Sequence, residues 1–497
     1  MDESTYRERE KRLVRKLDRN VVPLVCVLFM LSFLDRSNVG NARTAGMATD
    51  LHFDANGKGP HTYDWLLNIF YISYILFEFL ILGWKVVPPH IWGACVVLAW
   101  GVISTLQAAT TNWSGMMALR FLLGVSEAAY GPGIVFYLTF FYLRHEVGFR
   151  QGMFLSFAPL ATCFAGALAY GITREKGHVA SWRLLFVVEG IPTVLMAPIT
   201  WYFLPDSPHK ARFLTAEEKD FAASREVRQV GTANRISGVS WKDAGATFLD
   251  PKAWMQGLMY FSCNTAYGSL PVFLPTFLSE SLGFSAINAQ GLTAPPYFFS
   301  FLLTFSTPWL ADRLGQRGII VAIMSIIGGV GYILLATATN HWVQYFGVFL
   351  AAGGVFPAIS NILPWVTNNQ GNDTRRGVAV VILNLIGQCG PVLGNNVYPT
   401  NDGPRYTKGH SVCAAFLFFN ACLAMTLRTY LSWQNKKMDK KYGTLDEQRA
   451  RAVAGPGAGE KVTDAQQVVD ATDEKAKAKA EGQVAAEDYG PMFRYIL

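Results

Sequence analysis

The sequence predicts an all-α polytopic membrane protein, with twelve transmembrane helices arranged as two six-helix halves. Three observations predict it. Of its residues 51% are hydrophobic and only 16% charged, where a soluble chain of this size carries about a quarter charged residues. The charges crowd into the two ends and one central segment, leaving long apolar runs between them. Those runs come as six, a charged linker, then six more. The expected organisation is a basic cytoplasmic lead (1–20), a first bundle (21–204), a cytoplasmic linker (205–251), a second bundle (252–433) and a cytoplasmic tail (434–497). The tail lacks apolar mass and is expected to be largely disordered.

In the first half the runs begin near Val21, Tyr63, Ile91, Gly115, Phe149 and Leu184. In the second they begin near Ala253, Ala289, Gly318, His341, Gly377 and His410. Lys and Arg in the connections set the orientation. One side collects the basic N-terminus, Lys85, Arg144, Arg150, the linker, Arg313, Arg317, Arg375, Arg376 and Lys436 to Lys441. Both termini are therefore expected in the cytoplasm. The net charge of +7 follows from these flanking residues and gives no reason to expect nucleic acid. All seven cysteines fall within apolar runs and none forms a CxxC pair, so they read as small buried hydrophobes. The histidines fall mainly at loops and span ends, which argues against a buried histidine relay. No HExxH, GxSxG or Walker A lysine motif occurs. The chain thus reads as neither a membrane-embedded enzyme nor an ATP-driven pump, with no cofactor and no metal.

Chemistry concentrates in Leu119 to Gly133, LRFLLGVSEAAYGPG. Arg120 and Glu127 are seven residues apart, about two helical turns, so both point to nearly one face. An ionisable group at membrane depth costs roughly 2.5–3.5 kcal/mol on insertion scales, a cost met by a partner or a wet cavity. Gly131-Pro132-Gly133 allows close helix approach and a local break. In the first run Asp35 and Arg36 are adjacent, pointing about 100° apart. Together the four make a neutral set when ionised. Protonating one carboxylate leaves positive charge in excess, which suits an organic anion; losing that proton weakens the anion's hold. This is a physical route to proton–anion symport. The planar guanidinium fork can hold a carboxylate with two hydrogen bonds. Arg36 is expected to contact the anion and Glu127 to carry the proton. The alternative is a structural ion pair that only locks helices together.

Other polar groups lie in the apolar runs. Tyr74 can offer a hydroxyl to a substrate, or simply pack. Asn384 and Gln388 are four apart and share a helix face. They complete a cavity from the second half or make interhelical hydrogen bonds. Glu78 reads as snorkelling or gate pairing near a span end. Asn368 and Asn369 read as structural. In Leu310-Ala-Asp-Arg-Leu-Gly-Gln-Arg317, Asp312, Arg313 and Arg317 can brace helix ends as a gate, with Gly315 making the turn.

Six spans, a linker and six spans is the parallel-repeat plan of secondary transporters, whose substrate site lies near the midplane between the halves. Four motifs sharpen this: Phe33-Leu-Asp-Arg-Ser-Asn-Val-Gly-Asn-Ala42, Tyr71-Ile-Ser-Tyr-Ile-Leu-Phe-Glu78, the LRFLLGVSEAAYGPG stretch, and Pro364-Trp-Val-Thr-Asn-Asn-Gln-Gly371 followed by Arg375-Arg376. In this order they resemble the major facilitator superfamily. More closely they resemble the fungal allantoate, nicotinate and pantothenate permease branch of its anion:cation symporter family, over roughly residues 20 to 435. One departure is that Glu78 is followed by Phe79-Leu80-Ile81-Leu82 where the branch has Pro-Ser-Asn. The resemblance implies Asp35 and Glu127 as coupling carboxylates, and Arg36 and Arg120 as anion-binding or charge-balancing arginines. It also implies a plasma-membrane location. The expected partners are a small organic anion, protons and the lipid bilayer, with the chain as a monomer. The competing readings are a uniporter, an exchanger, an exporter, or a nutrient sensor that moves nothing.

Overall fold

The computed structural model describes residues 3–52, 62–174, 179–230, 241–370, 373–399, 402–444, 447 and 494–497, and every regular element among them is helical. The first span, Val22–Ala42, carries a proline in its first turn, where a missing N–H costs nothing. The second, Thr62–Leu76, bends by 47° into the short helices Glu78–Leu82 and Gly83–Val86. The bend falls where the Phe79–Leu82 run stands. Pro89–Gln107 is the third span. The fourth, Trp113–Ala128, is capped by Asn112, whose side chain accepts from the Gly115 amide at 2.8 Å. It breaks at Ala129 and resumes as Gly131–Leu138. The indole of Trp84 donates to the Ala129 carbonyl that the break sets free, at 2.7 Å. Arg144–Arg174 and Ser181–Phe203 complete the half.

The second half holds the seventh span Pro251–Glu280, the eighth Ala294–Leu314, the ninth Arg317–Thr337 and the tenth His341–Asn368. The eleventh, Asp373–Gly387, breaks at Gln388 before Cys389–Asn396, and the twelfth is Thr407–Tyr442. Nine helices among the described residues are long and apolar enough to cross a membrane, and the bent second span makes a tenth. The seventh and eighth, at 30 and 21 residues, have the length and complete the twelve. The seventh is buried around most of its circumference, so it carries Asn264, Thr265 and Ser269 without presenting them to lipid. The outward faces are apolar, with Leu195, Trp201, Tyr202 and Phe203 on the sixth span and Phe298, Leu302, Phe305 and Trp309 on the eighth. This is an integral membrane protein.

The halves meet along the first and seventh spans, the second and eleventh, and the fifth with the eighth and tenth. Polar contacts close both ends of this seam. On the face that carries the N-terminal helix, Thr367 donates to Gln151 at 3.1 Å and Lys85 to Thr374 at 3.0 Å. On the other face Gln290 donates to Thr44 at 2.8 Å and accepts from Thr173 at 2.9 Å. There Asn395 also reaches Asn68, at 3.4 Å.

The basic lead is a helix, Glu3–Asn20, with Leu13 and Leu17 buried beneath it. Asp18 pairs with Arg150 and Lys16 with Glu218 of the linker helix Ala216–Val230. That helix opens on a reciprocal cap between Thr215 and Glu218. The tail departs from expectation at both ends. The twelfth helix runs on to Tyr442, and Arg494–Leu497 packs against the second half. Residues 448–493, the linker residues 231–240 and Gly371 lie outside the described residues.

Where the ninth and tenth spans cross, Gly354 meets the Gly328 backbone and Gly331 meets that of Ala351, a seam of small residues. Gly354→Val forces these backbones apart and should cost about 1–3 kcal/mol. Thermal unfolding in detergent would read this as a lowered midpoint. Gly171→Ala, whose new methyl meets nothing within 4 Å, should leave the midpoint unchanged.

Candidate functional site

The four charges singled out from the sequence assemble inside the first half. Gly124 lets the fourth span lie directly on Phe70 and Ser73 of the second, and this brings Glu127 up to the first span. Glu127 accepts from Arg36 at 3.0 Å and from Ser32 at 3.1 Å through one oxygen, leaving the other without a partner. Arg36 lies over the rings of Phe70 and Tyr74, 5.0 and 5.1 Å from their centres, and its Nε is unpartnered. The rings hold the guanidinium in one plane while leaving its edge available. Asp35 turns the other way, as neighbours on a helix do. It accepts from Ser104 of the third span at 2.5 Å. Arg120 lies within electrostatic reach of both Asp35 and Glu127, close to Tyr63 and Phe186, with Nε and Nη2 free of hydrogen bonds.

Only some of the candidates line the space between the halves. A cavity of about 30 Å³, room for about one or two waters, is lined by Arg36, Tyr71 and Tyr74 from the first half. Tyr260, Asn264, Tyr267, Asn384 and Gln388 line it from the second. Asp35, Arg120 and Glu127 stand behind this wall. Asn384 donates to the Val380 carbonyl at 2.8 Å and keeps its oxygen unpartnered; Gln388 sits at the break of the eleventh span. Tyr71 lies beside Tyr74 on the second span and offers the same choice of hydroxyl or packing; the residues that sequence reasoning missed are the seventh-span set Tyr260, Asn264 and Tyr267. Asn264, a polar residue in an apolar run, carries the same signal that singled out Asn384.

Two buried carboxyls change the charge balance. Glu78, expected to reach water or a gate, is fully buried at the second-span bend, near Arg36 and Tyr260, with neither oxygen hydrogen-bonded. Glu189 of the sixth span is likewise buried and unbonded, facing Asp35. Four carboxyls therefore share two guanidiniums, so the buried set is not neutral by its arginines alone. His410 also departs from expectation. It lies at a span end, the start of the twelfth, but is buried there against Phe277 and Tyr398.

At the gate, Asp312 pairs with Arg317 across the turn made by Gly315, whose φ of +64° suits glycine. Arg317 is buried against Gly148 of the fifth span, so the brace reaches across the halves. Arg313 takes no part; it is exposed and lies over the Trp309 ring.

Residues 25–395 match the family model described as Major Facilitator Superfamily. The chain belongs to this superfamily. It is 33% identical over 456 residues to the MFS transporter prlL of Fungal sp. (strain NRRL 50135), covering 90% of this chain and 91% of the relative. It is 28% identical over 443 residues to the high-affinity nicotinic acid transporter of Saccharomyces cerevisiae (strain ATCC 204508 / S288c), covering 88% and 80%. Among solved structures, the proton:xylose symporter XylE bound to 6-bromo-6-deoxy-D-glucose superposes with a TM-score of 0.61 at 14% identity, covering 84% of this chain and 96% of that one. The last likeness concerns the fold. The protein is thus a transporter of the major facilitator superfamily and not an enzyme.

Glu127→Ala leaves the Arg36 guanidinium buried without an anion, and should cost about 3 kcal/mol or more of stability. Glu127→Gln keeps an acceptor in place and should cost less. Thermal unfolding in detergent measures the order, and equal losses would show that the hydrogen-bond acceptor retained by Gln contributes nothing and that the charge both variants remove sets the cost.

Proposed function

We propose that this transporter carries a small organic anion, a carboxylate nutrient or vitamin, together with a proton. The supporting observation is the Arg36–Glu127 pair, set at the wall of the cavity between the halves with one guanidinium nitrogen unoccupied. In the empty state Glu127 neutralises Arg36. A proton on Glu127 ends that neutralisation, and an incoming carboxylate takes its place on the guanidinium fork. Both the empty and the fully loaded sites then carry the same net charge. A site holding only the proton or only the anion carries one charge too many or too few. Burying that excess at membrane depth penalises passage of the halfway states, which couples the two ions. Asp35, Arg120 and Ser104 form the fixed part of the cluster, with Asp35 a second carboxylate for coupling. Tyr74, Asn384 and Gln388 supply neutral hydrogen bonds to the rest of the substrate.

The cavity is too small for such a substrate as it stands, so this state is closed and must open to one face to load. Alternation would rock one half against the other around the cavity. The Asp312–Arg317 brace and the Gln151–Thr367 contact would close the face that carries both described chain ends. That face is assigned to the cytoplasm by its lysines and arginines. The yeast relative is named for nicotinic acid, itself a monocarboxylate. Together with the sequence motifs, this supports reading the protein as a member of the anion:cation symporter branch, and by extension as a plasma-membrane protein.

Proteoliposomes given a panel of nicotinate, pantothenate, allantoate and simple monocarboxylates test the proposal. Inward proton gradients should drive uphill uptake of at least one, abolished by a protonophore. For a monocarboxylate, an imposed potassium diffusion potential should not change the rate, because one proton and one anion move together. Arg36→Ala should remove uptake of every anion. Glu127→Gln should abolish accumulation while sparing exchange. Uptake that only equilibrates whatever the gradient would make the protein a uniporter or exchanger and return the cluster to a structural role.

A further inference from the structure

The tenth-span motif Pro364-Trp-Val-Thr-Asn-Asn369 takes no part in the central site, yet Trp365 and Asn369 are buried. Both grip the backbone of one residue near the end of the sequence, Ile496. Trp365 Nε1 donates to the Ile496 carbonyl at 2.7 Å. Asn369 donates to the same carbonyl at 3.0 Å and accepts from the Ile496 amide at 2.9 Å. One residue earlier, Asn435 of the twelfth span repeats the pattern, accepting from the Tyr495 amide at 2.8 Å and donating to its carbonyl at 2.9 Å. The Gly318 amide at the start of the ninth span donates to the Leu497 carbonyl at 3.3 Å. Two side chains add recognition. Arg494 pairs with Asp439 at 2.7 Å, and Lys252 at the start of the seventh span donates to the Tyr495 hydroxyl at 3.0 Å. A primary amide that both donates and accepts imitates the backbone of a neighbouring strand, so paired asparagines read an extended peptide independently of its side chains.

We propose that the groove between the ends of the seventh, ninth, tenth and twelfth spans is a peptide-binding site for Arg494–Leu497 of this same chain. Its occupancy holds those helix ends in the arrangement that closes this face. The occupant is this chain's own segment, seated in the groove in the structure. Arg494 also donates to the Gly443 carbonyl at 2.7 Å, just past the end of the twelfth helix. The link to closure is positional. Thr367, between Trp365 and Asn369, donates to Gln151 of the first half. Arg317, next to Gly318, packs on Gly148. The same two helix ends therefore face the segment on one side and the opposite half on the other. A bound segment biases the open–closed equilibrium only by the contacts it makes in one state and loses in the other. The contacts named here span four helices and depend on their relative positions.

The test uses the full chain in detergent micelles. Hydrogen exchange, read by mass spectrometry, should find the amides of Tyr495 and Ile496 protected. The double variant Asn369→Ala/Asn435→Ala removes four hydrogen bonds to the segment and should raise their exchange about tenfold or more. Asp439→Arg should also raise it, and adding Arg494→Asp should restore protection, which a misfolded protein would not do. Closure is read separately, from maleimide labelling of Gln151→Cys, located by peptide mass spectrometry. Labelling should quicken several-fold when Arg494→Glu and Tyr495→Ala release the segment. Unprotected amides in the parent chain, or protection that falls on dilution and so comes from a second copy, would overturn the assigned site. Labelling at position 151 that ignores the release would overturn its role in closure.

Discussion

A guanidinium at membrane depth must have an anion beside it, and the first half of this protein is arranged around that requirement. Arg36 takes Glu127, and nearly every local feature of the surrounding helices serves the pair. Gly124 brings the fourth span close enough to the second for Glu127 to reach the first span. Ser32, one turn before Arg36, supplies the second donor to the same carboxylate oxygen. Arg36 lies over the Phe70 and Tyr74 rings, which hold the guanidinium without using its nitrogens. The helix break after Glu127 would leave a buried carbonyl unpaired, and Trp84 satisfies it. What remains open on Arg36 faces the other half.

That arrangement divides labour between the halves. The first supplies all of the charges at the centre, and the second supplies neutral hydroxyls and amides from Tyr260, Asn264, Tyr267, Asn384 and Gln388. Under the proposed function, a carboxylate entering the cavity would meet its counter-ion on one wall and its hydrogen-bonding groups on the other. Glu78 and Glu189 complicate the charge balance, because neither has a hydrogen-bond partner and only Glu78 lies near an arginine of the cavity.

The twelve helices were legible because an apolar run of spanning length has few other uses. The seventh span was legible from length alone, since its polar residues turn inward and lower its hydropathy. The charged cluster was also legible, because Arg36, Arg120, Asp35 and Glu127 are conspicuous in apolar runs. Which of them faces the cavity was not, since that depends on the rotation of each helix and on close contacts such as that at Gly124. Glu78 was misjudged for a related reason. Its distance along the chain from the span start pointed to the membrane boundary, and the bend of the second span carries it inward instead. Arg313 was grouped with Asp312 and Arg317 by adjacency, yet neighbours on a helix point about 100° apart, and Arg313 of the eighth helix is exposed. The packing of Tyr495 and Ile496 was invisible in a tail of low apolar content, because its receptor is built from side chains 55 to 243 positions away.

The account turns on one exchange of partners, in which Arg36 gives up Glu127 for a substrate carboxylate as Glu127 takes a proton. The most direct measurement is calorimetry of anion binding to the purified protein in two buffers of different ionisation heat, using a carboxylate that the protein accumulates. The account predicts that about one proton is taken up for each anion bound, and that none is taken up by Glu127→Gln while the anion still binds. Binding with no proton uptake in the parent protein would contradict it and leave the Arg36–Glu127 pair as a brace between helices.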